Sequence, residues 1–152
     1  MNSFRIEKRD IYTIEVNDQG ETIEFDLVDI ELAFKAERAF NEVSRITNDL
    51  KGKLVIIDKQ EDHQQKGKLM TKNEEARVNA YREAFKQMRI AMDAFLGEGA
   101  CQKIFGSRNY LEMYDDLAKA LEPHFEKMKL NVDGVSERIK AKYSNKDDGV
   151  LR

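Results

Sequence analysis

Between residues 11 and 27 the chain reads Ile11-Tyr12-Thr13-Ile14-Glu15-Val16-Asn17-Asp18-Gln19-Gly20-Glu21-Thr22-Ile23-Glu24-Phe25-Asp26-Leu27. Tyr12, Ile14 and Val16 alternate with Thr13 and Glu15, and Ile23, Phe25 and Leu27 alternate with Thr22, Glu24 and Asp26. A period of two in β-branched and aromatic residues marks strands with one face buried. Asn17 to Gly20 lies between them and is turn-forming, with Gly20 free to take a positive φ. The segment therefore predicts a β-hairpin over residues 10–28. Two strands alone are marginal in water, so their apolar face has to lie on a helix or on a second copy. Phe4 and Ile6, again two apart, are candidates for a third strand.

Beyond the hairpin the period becomes helical. Asp29 reads as an N-cap, and Ala36, Phe40, Val43, Ile46 and Leu50 recur at steps of three and four, continuing to Leu54 and Ile57. This predicts a helix from about residue 29 into the low sixties, with Gly52 a place where it ends, bends or is merely tolerated, at a cost of about 1 kcal/mol. Thr71-Lys72-Asn73-Glu74 fits a capping box and opens a second helix. Its stripe runs Val78, Tyr81, Phe85, Met88, Met92, Phe95 and stops at Gly97. A glycine-bearing corner with a short helix over Ala100 to Phe105 follows. Tyr110, Tyr114, Leu117, Leu121, Phe125 and Met128 then form a third stripe, in which Pro123 is expected to kink or split the helix. Val135, Ile139 and Tyr143 read as a short last helix.

The fold class is accordingly mainly α, an α+β chain in which the N-terminal hairpin precedes a three- to five-helix bundle. Its 152 residues amount to one domain, expected over 1–144 (hairpin 10–28, helical part 29–143), with a polar tail at 145–152. The predicted core joins Val43, Ile46, Tyr81, Phe85, Met88, Leu117 and Leu121. Met88, Met92, Met113 and Met128 are read as core filler rather than as an adaptable binding surface.

Chemistry-bearing residues are sparse. One cysteine forbids an internal disulfide, and with two histidines it makes a zinc site improbable. His63 stands in a polar run, and His124 follows Pro123 between Glu122 and Glu126. Asp115 and Asp116, beside Glu112, could pass for paired carboxylates, but consecutive residues on a helix point about 100° apart and so read as a solvated face. Cys101 has Lys103 nearby but no histidine at a recognisable spacing, so it reads as a small buried residue. Gly97-Glu98-Gly99-Ala100 lacks the P-loop pattern. No nucleophile, base and oxyanion site assemble, so a protein without enzymatic activity, cofactor or metal is expected.

Charge is informative in one place. The chain carries 26 basic and 29 acidic residues, yet from Asp10 to Phe34 there are eight acidic residues and no lysine or arginine. A nucleic-acid partner needs the opposite sign. No stretch approaches the roughly 20 apolar residues of a membrane span, and the N-terminus lacks a signal-peptide segment. Glu15, Glu24, Asp26, Asp29 and Glu31 are the candidate partner-binding residues. The acidic face is either solvated or meets a basic surface on a second copy or on a protein client.

The hairpin from Ile11-Tyr12-Thr13-Ile14 to Phe25-Asp26-Leu27, the helix opening Asp29-Ile30-Glu31-Leu32, the corner Phe95–Gly106 and the run Asn109-Tyr110-Leu111-Glu112-Met113 together resemble small tail-region proteins of phages and prophages of Gram-positive bacteria. In particular the chain is similar to the tail assembly chaperones of long-tailed phages. That resemblance implies a largely helical, self-associating protein that binds the tape measure protein, with the major tail protein as a further candidate partner. It also implies action in the cytoplasm of the bacterial host and absence from the mature virion. The competing expectation is a small phage-encoded binding module, or another tail or head–tail component, acting on a protein partner through its acidic hairpin.

Overall fold

The computed structural model describes residues 1–128. Strands β1 (Ile11–Glu15) and β2 (Thr22–Asp26) form an antiparallel two-stranded sheet, followed by helices α1 (Leu32–Lys59), α2 (Lys72–Leu96), α3 (Ala100–Phe105) and α4 (Met113–Lys127). The register pairs Tyr12 with Phe25 and Ile14 with Ile23, so the apolar residues of both strands share one face. Ile23 and Phe25 are buried, and Tyr12, Ile14, Val16 and Leu27 pack against the same core. The predicted last helix and the polar tail lie outside the described residues.

Helices α1 and α2 run antiparallel. Asp58 meets Arg77 at one end, Ile46 and Leu50 face Ala80 and Ala84, and Arg38 and Ala39 lie beside Ala91 and Ala94 at the other. At 28 and 25 residues they extend about 42 and 37 Å. Among described residues the core gathers at one end of this pair, under the hairpin, α3 and α4. Phe95 sits at its centre, with ring centroids 5.3 Å from Phe25 and 6.2 Å from Phe125. One side chain thereby joins sheet, α2 and α4.

The capping box opens α2 as expected: the Thr71 side chain accepts from the Glu74 N–H at 3.2 Å, and the Glu74 carboxylate accepts from the Thr71 N–H at 2.9 Å. Several expectations need correction. Phe4 and Ile6 make no third strand; both are exposed, because Asp10 adopts a left-handed backbone (φ 53°) that sends residues 1–9 away from the sheet. Asp29 does not cap α1, which opens at Leu32 after Glu31. Its carboxylate instead closes the preceding turn, accepting from the Glu31 N–H at 2.9 Å. Val78 is exposed and Tyr81 half-buried, since among the described residues no further element covers α2 that far from the hairpin; the other six predicted core residues are buried. Gly52 neither ends nor interrupts α1. Pro123 does not split α4, whose Leu121 and Phe125 are buried on either side of it.

Candidate functional site

The five acidic residues singled out in the hairpin region are drawn to two different tasks. Glu15 and Glu24 lie on the outer, exposed face of the sheet, on neighbouring strands one residue pair apart. Like charges in such diagonal positions destabilise a sheet slightly, and here they are left to solvent. Asp26 and Asp29 are half-buried and structural. The Asp26 carboxylate accepts from the Val28 N–H at 3.1 Å. Asp29 also holds the Lys35 ammonium at 2.8 Å. That hydrogen bond, together with the Glu31 N–H, keeps the Asp29 carboxyl below the usual carboxylate range. Glu31 is exposed and lies 3.8 Å from Arg38, a distance and exposure at which an ion pair contributes little.

The two Asx turns that consume Asp26 and Asp29 have a consequence. They carry the chain from sheet to helix with Val28 and Ile30 facing outward, and Phe34 follows on the first turn of α1. These three are 52%, 91% and 62% exposed. Large apolar side chains left outside together, with charged residues around them, mark interaction surfaces more often than accidents. Beyond Lys35 a groove of about 700 Å³ lies along α1 against α2, lined by Ala39, Ala91 and Ala94 and by Lys35, Arg38, Glu42 and Arg45. Arg45 is itself tied to Glu42 and to Asp49. Sequence reasoning missed this surface because it sought chemistry in the polar residues. The available signal was Phe34, Ile30 and Val28 falling outside every apolar stripe.

The remaining chemistry-bearing residues are accounted for by packing. Cys101 is buried, and burial together with Asp93 pushes its thiol up to about 12, which leaves it an inert thiol. The Asp93 carboxylate binds the corner, accepting from the N–H of Cys101 at 2.8 Å and of Gly99 at 3.2 Å. Gly99 is left-handed (φ 75°), which suits glycine at the entry to α3. Tyr114 packs against Cys101, and burial raises its hydroxyl pKa. His124 is half-buried and shares a 2.8 Å hydrogen bond with the Tyr12 hydroxyl, joining α4 to β1. Burial, then the charge of Lys127, lowers its pKa. Met88, Met92, Met113 and Met128 are all buried in the core. Among the described residues no group of three or more His, Cys, Asp or Glu side chains could hold a metal ion, and no helix is long and apolar enough to cross a membrane.

Residues 19–148 match a family described as a family of unknown function (DUF6673), and the chain belongs to that family. The match takes in β2 and all four helices and leaves β1 and the residues before it outside. Comparison with curated proteins and with solved structures finds no match.

Proposed function

We propose that the chain is a non-catalytic assembly factor of a long-tailed phage: a tail assembly chaperone that holds the tape measure protein while the tail is built. The observation that carries this reading is the exposed trio Val28, Ile30 and Phe34, together with the alanine-lined groove between α1 and α2. An amphipathic client helix laid in such a groove anchors a few large apolar side chains, and small residues on the floor let its backbone approach. Glu15 and Glu24 then attract basic residues of the client, speeding encounter and setting register more than supplying affinity. The tape measure protein is long and helical, which gives it repeated segments of this kind. The same reading places the major tail protein as a second partner, the working form as a homo-oligomer in the host cytoplasm, and the finished virion without it.

The test is titration of the purified chain against helical segments of a long-tailed phage's tape measure protein, followed by fluorescence anisotropy. Ile30→Glu combined with Phe34→Glu should weaken binding by about tenfold or more, since two apolar anchors are lost. Glu15→Gln combined with Glu24→Gln should mainly slow association. Failure of every segment to bind, or binding indifferent to Ile30→Glu and Phe34→Glu, would overturn the reading.

A further inference from the structure

Residues 1–9 form an exposed arm with a strand's alternation that pairs with no strand among the described residues. Phe4 and Ile6 are each 86% exposed. Phe4, Ile6 and Lys8 alternate with Arg5, Glu7 and Arg9, so in extended form one face is mainly apolar and the other mainly basic. The hairpin offers the complement of both. Its inner face carries Tyr12, Ile14 and Val16, all only half-buried, and its outer face carries Glu15 and Glu24. The Val16 N–H donates to the Glu21 carbonyl and the Leu27 N–H to that of Asp10. By the alternation of an antiparallel ladder, the backbone groups of Ile11, Thr13 and Glu15 therefore point to the open edge of β1.

We infer that the arm of one copy adds to the β1 edge of a second copy, extending its sheet to three strands. Side chains on neighbouring strands share faces, so an arm that sets Phe4 and Ile6 beside Tyr12 and Ile14 necessarily brings Arg5 toward Glu15 and Glu24. One register thus satisfies both the apolar and the charge pattern. The reverse register would put Phe4 among carboxylates. Addition in cis is disfavoured by the junction. Asp10 already belongs to the ladder through its carbonyl, and its left-handed φ turns the arm outward with no loop in which to reverse. The arrangement also removes an edge-strand liability, since an open β1 is a template for uncontrolled pairing. Because each copy has one arm and one edge, the contact is head-to-tail, and it closes as an exchanged dimer or a ring.

Sedimentation velocity of the full chain, over an about hundredfold range of concentration, tests this directly. The wild type should associate reversibly, and removal of residues 1–9 should leave a monomer. Arg5→Glu with Arg9→Glu, and separately Glu15→Lys with Glu24→Lys, should each weaken association by about tenfold or more through like-charge contact. Mixing these two charge-reversed proteins should restore it, because each arm then meets an edge of opposite sign. A wild type that is monomeric throughout, association that survives loss of the arm, or a mixture that does not recover would each overturn the inference. Glu15 and Glu24 serve both readings, but no client enters this measurement and the tape-measure reading is decided by Ile30→Glu and Phe34→Glu, so the two can fail separately.

Discussion

At the hairpin end of the α1–α2 pair, Ala36, Phe40 and Val43 belong to one buried cluster with Met88, Met92 and Phe95, closed by Ile23 and Phe25 on one side and by Leu121 and Phe125 on another. At the other end, among the described residues, the same two helices have almost nothing but each other. From Lys51 to Glu83 the only buried side chain is that of Asn73; Leu54, Ile57, Ala80 and Tyr81 are half-buried, and Val55, Ile56, Leu69, Met70 and Val78 are exposed. What replaces the core there is a polar clasp. The Asn73 side-chain amide donates to the carbonyls of Ile57 and Gln60 at 3.1 and 2.9 Å; the Ile57 carbonyl also takes the Gln60 N–H at 3.0 Å, so the amide is its second donor. Asp62 accepts from the Asn73 N–H at 2.9 Å, and Arg77 reaches Asp58 at 2.6 Å. The contrast teaches that helical periodicity does not measure burial: α2 keeps its stripe past the point where any partner among the described residues remains to receive it.

The largest effect should come from the packed end. Phe95→Ala removes the ring shared by sheet, α2 and α4, and large-to-small changes of a buried Phe cost about 3–5 kcal/mol. Thermal denaturation should show one strongly lowered transition. A melt near that of the wild type would mean that the hairpin and α4 are not held through Phe95, and the comparison would break at its stronger side.

At the clasp, Asn73→Ala removes two side-chain hydrogen bonds to the end of α1, each worth about 0.5–1.5 kcal/mol, while the Ile57 carbonyl keeps the Gln60 N–H. The loss should be local. Native-state hydrogen exchange should accelerate for amides of residues 54–80, while those around Phe40, Met92 and Phe125 keep their protection. Equal acceleration in both regions would show that the pair opens as one unit, and the division drawn between its ends would be wrong.

Much of this division was hidden in the sequence for a definable reason. Alternation found the hairpin and Thr71-Lys72-Asn73-Glu74 found the start of α2, because both signals are local and their geometry is fixed by adjacent residues. Val78 and Tyr81 extended the α2 stripe on paper, but burial needs a neighbour, and the neighbour ends with the hairpin and α4. Asp26 and Asp29 looked like binding carboxylates because composition cannot show that a side chain is already occupied by the next turn's N–H. Phe34 and Asn73 were legible only in reverse, as an apolar residue off its stripe and a polar one inside a helix start.

Gly52 sharpens the comparison with a smaller change of opposite sign. It lies on the exposed side of the far end of α1, and a Cβ added there meets nothing within 4 Å. Gly52→Ala should therefore stabilise that end by about 0.5–1 kcal/mol through helix propensity alone. Exchange in residues 54–80 should slow measurably. No change would mean that helix propensity does not limit the far end.

The smallest effect is a dependence on pH that should separate the two ends. In the clasp, Asp62 is held below its ordinary range mainly by the Asn73 N–H, and Glu75 by Gln65 and Lys68. A lowered carboxylate pKa gives stability that is present above the unfolded value and is lost as pH falls through the folded one, so the clasp should weaken only in acid, below about pH 4. The packed end has a different group at its joint. His124 titrates below its unfolded value, near 6.5, because burial and then Lys127 disfavour its charged form. The unfolded chain thus binds a proton first, and stability is full above about pH 7 and declines as pH falls through 6.5 toward the folded value. The hydrogen bond to Tyr12 is not the cause, since a protonated ring can still donate from Nδ1 to the hydroxyl. Urea denaturation between about pH 7.5 and pH 5 should show this modest decline, in a window where the clasp carboxylates stay charged. His124→Gln should flatten it, whereas Tyr12→Phe should lower stability while leaving the slope in place. A slope unchanged in His124→Gln would remove the histidine from the joint and leave the two ends alike in their response to acid.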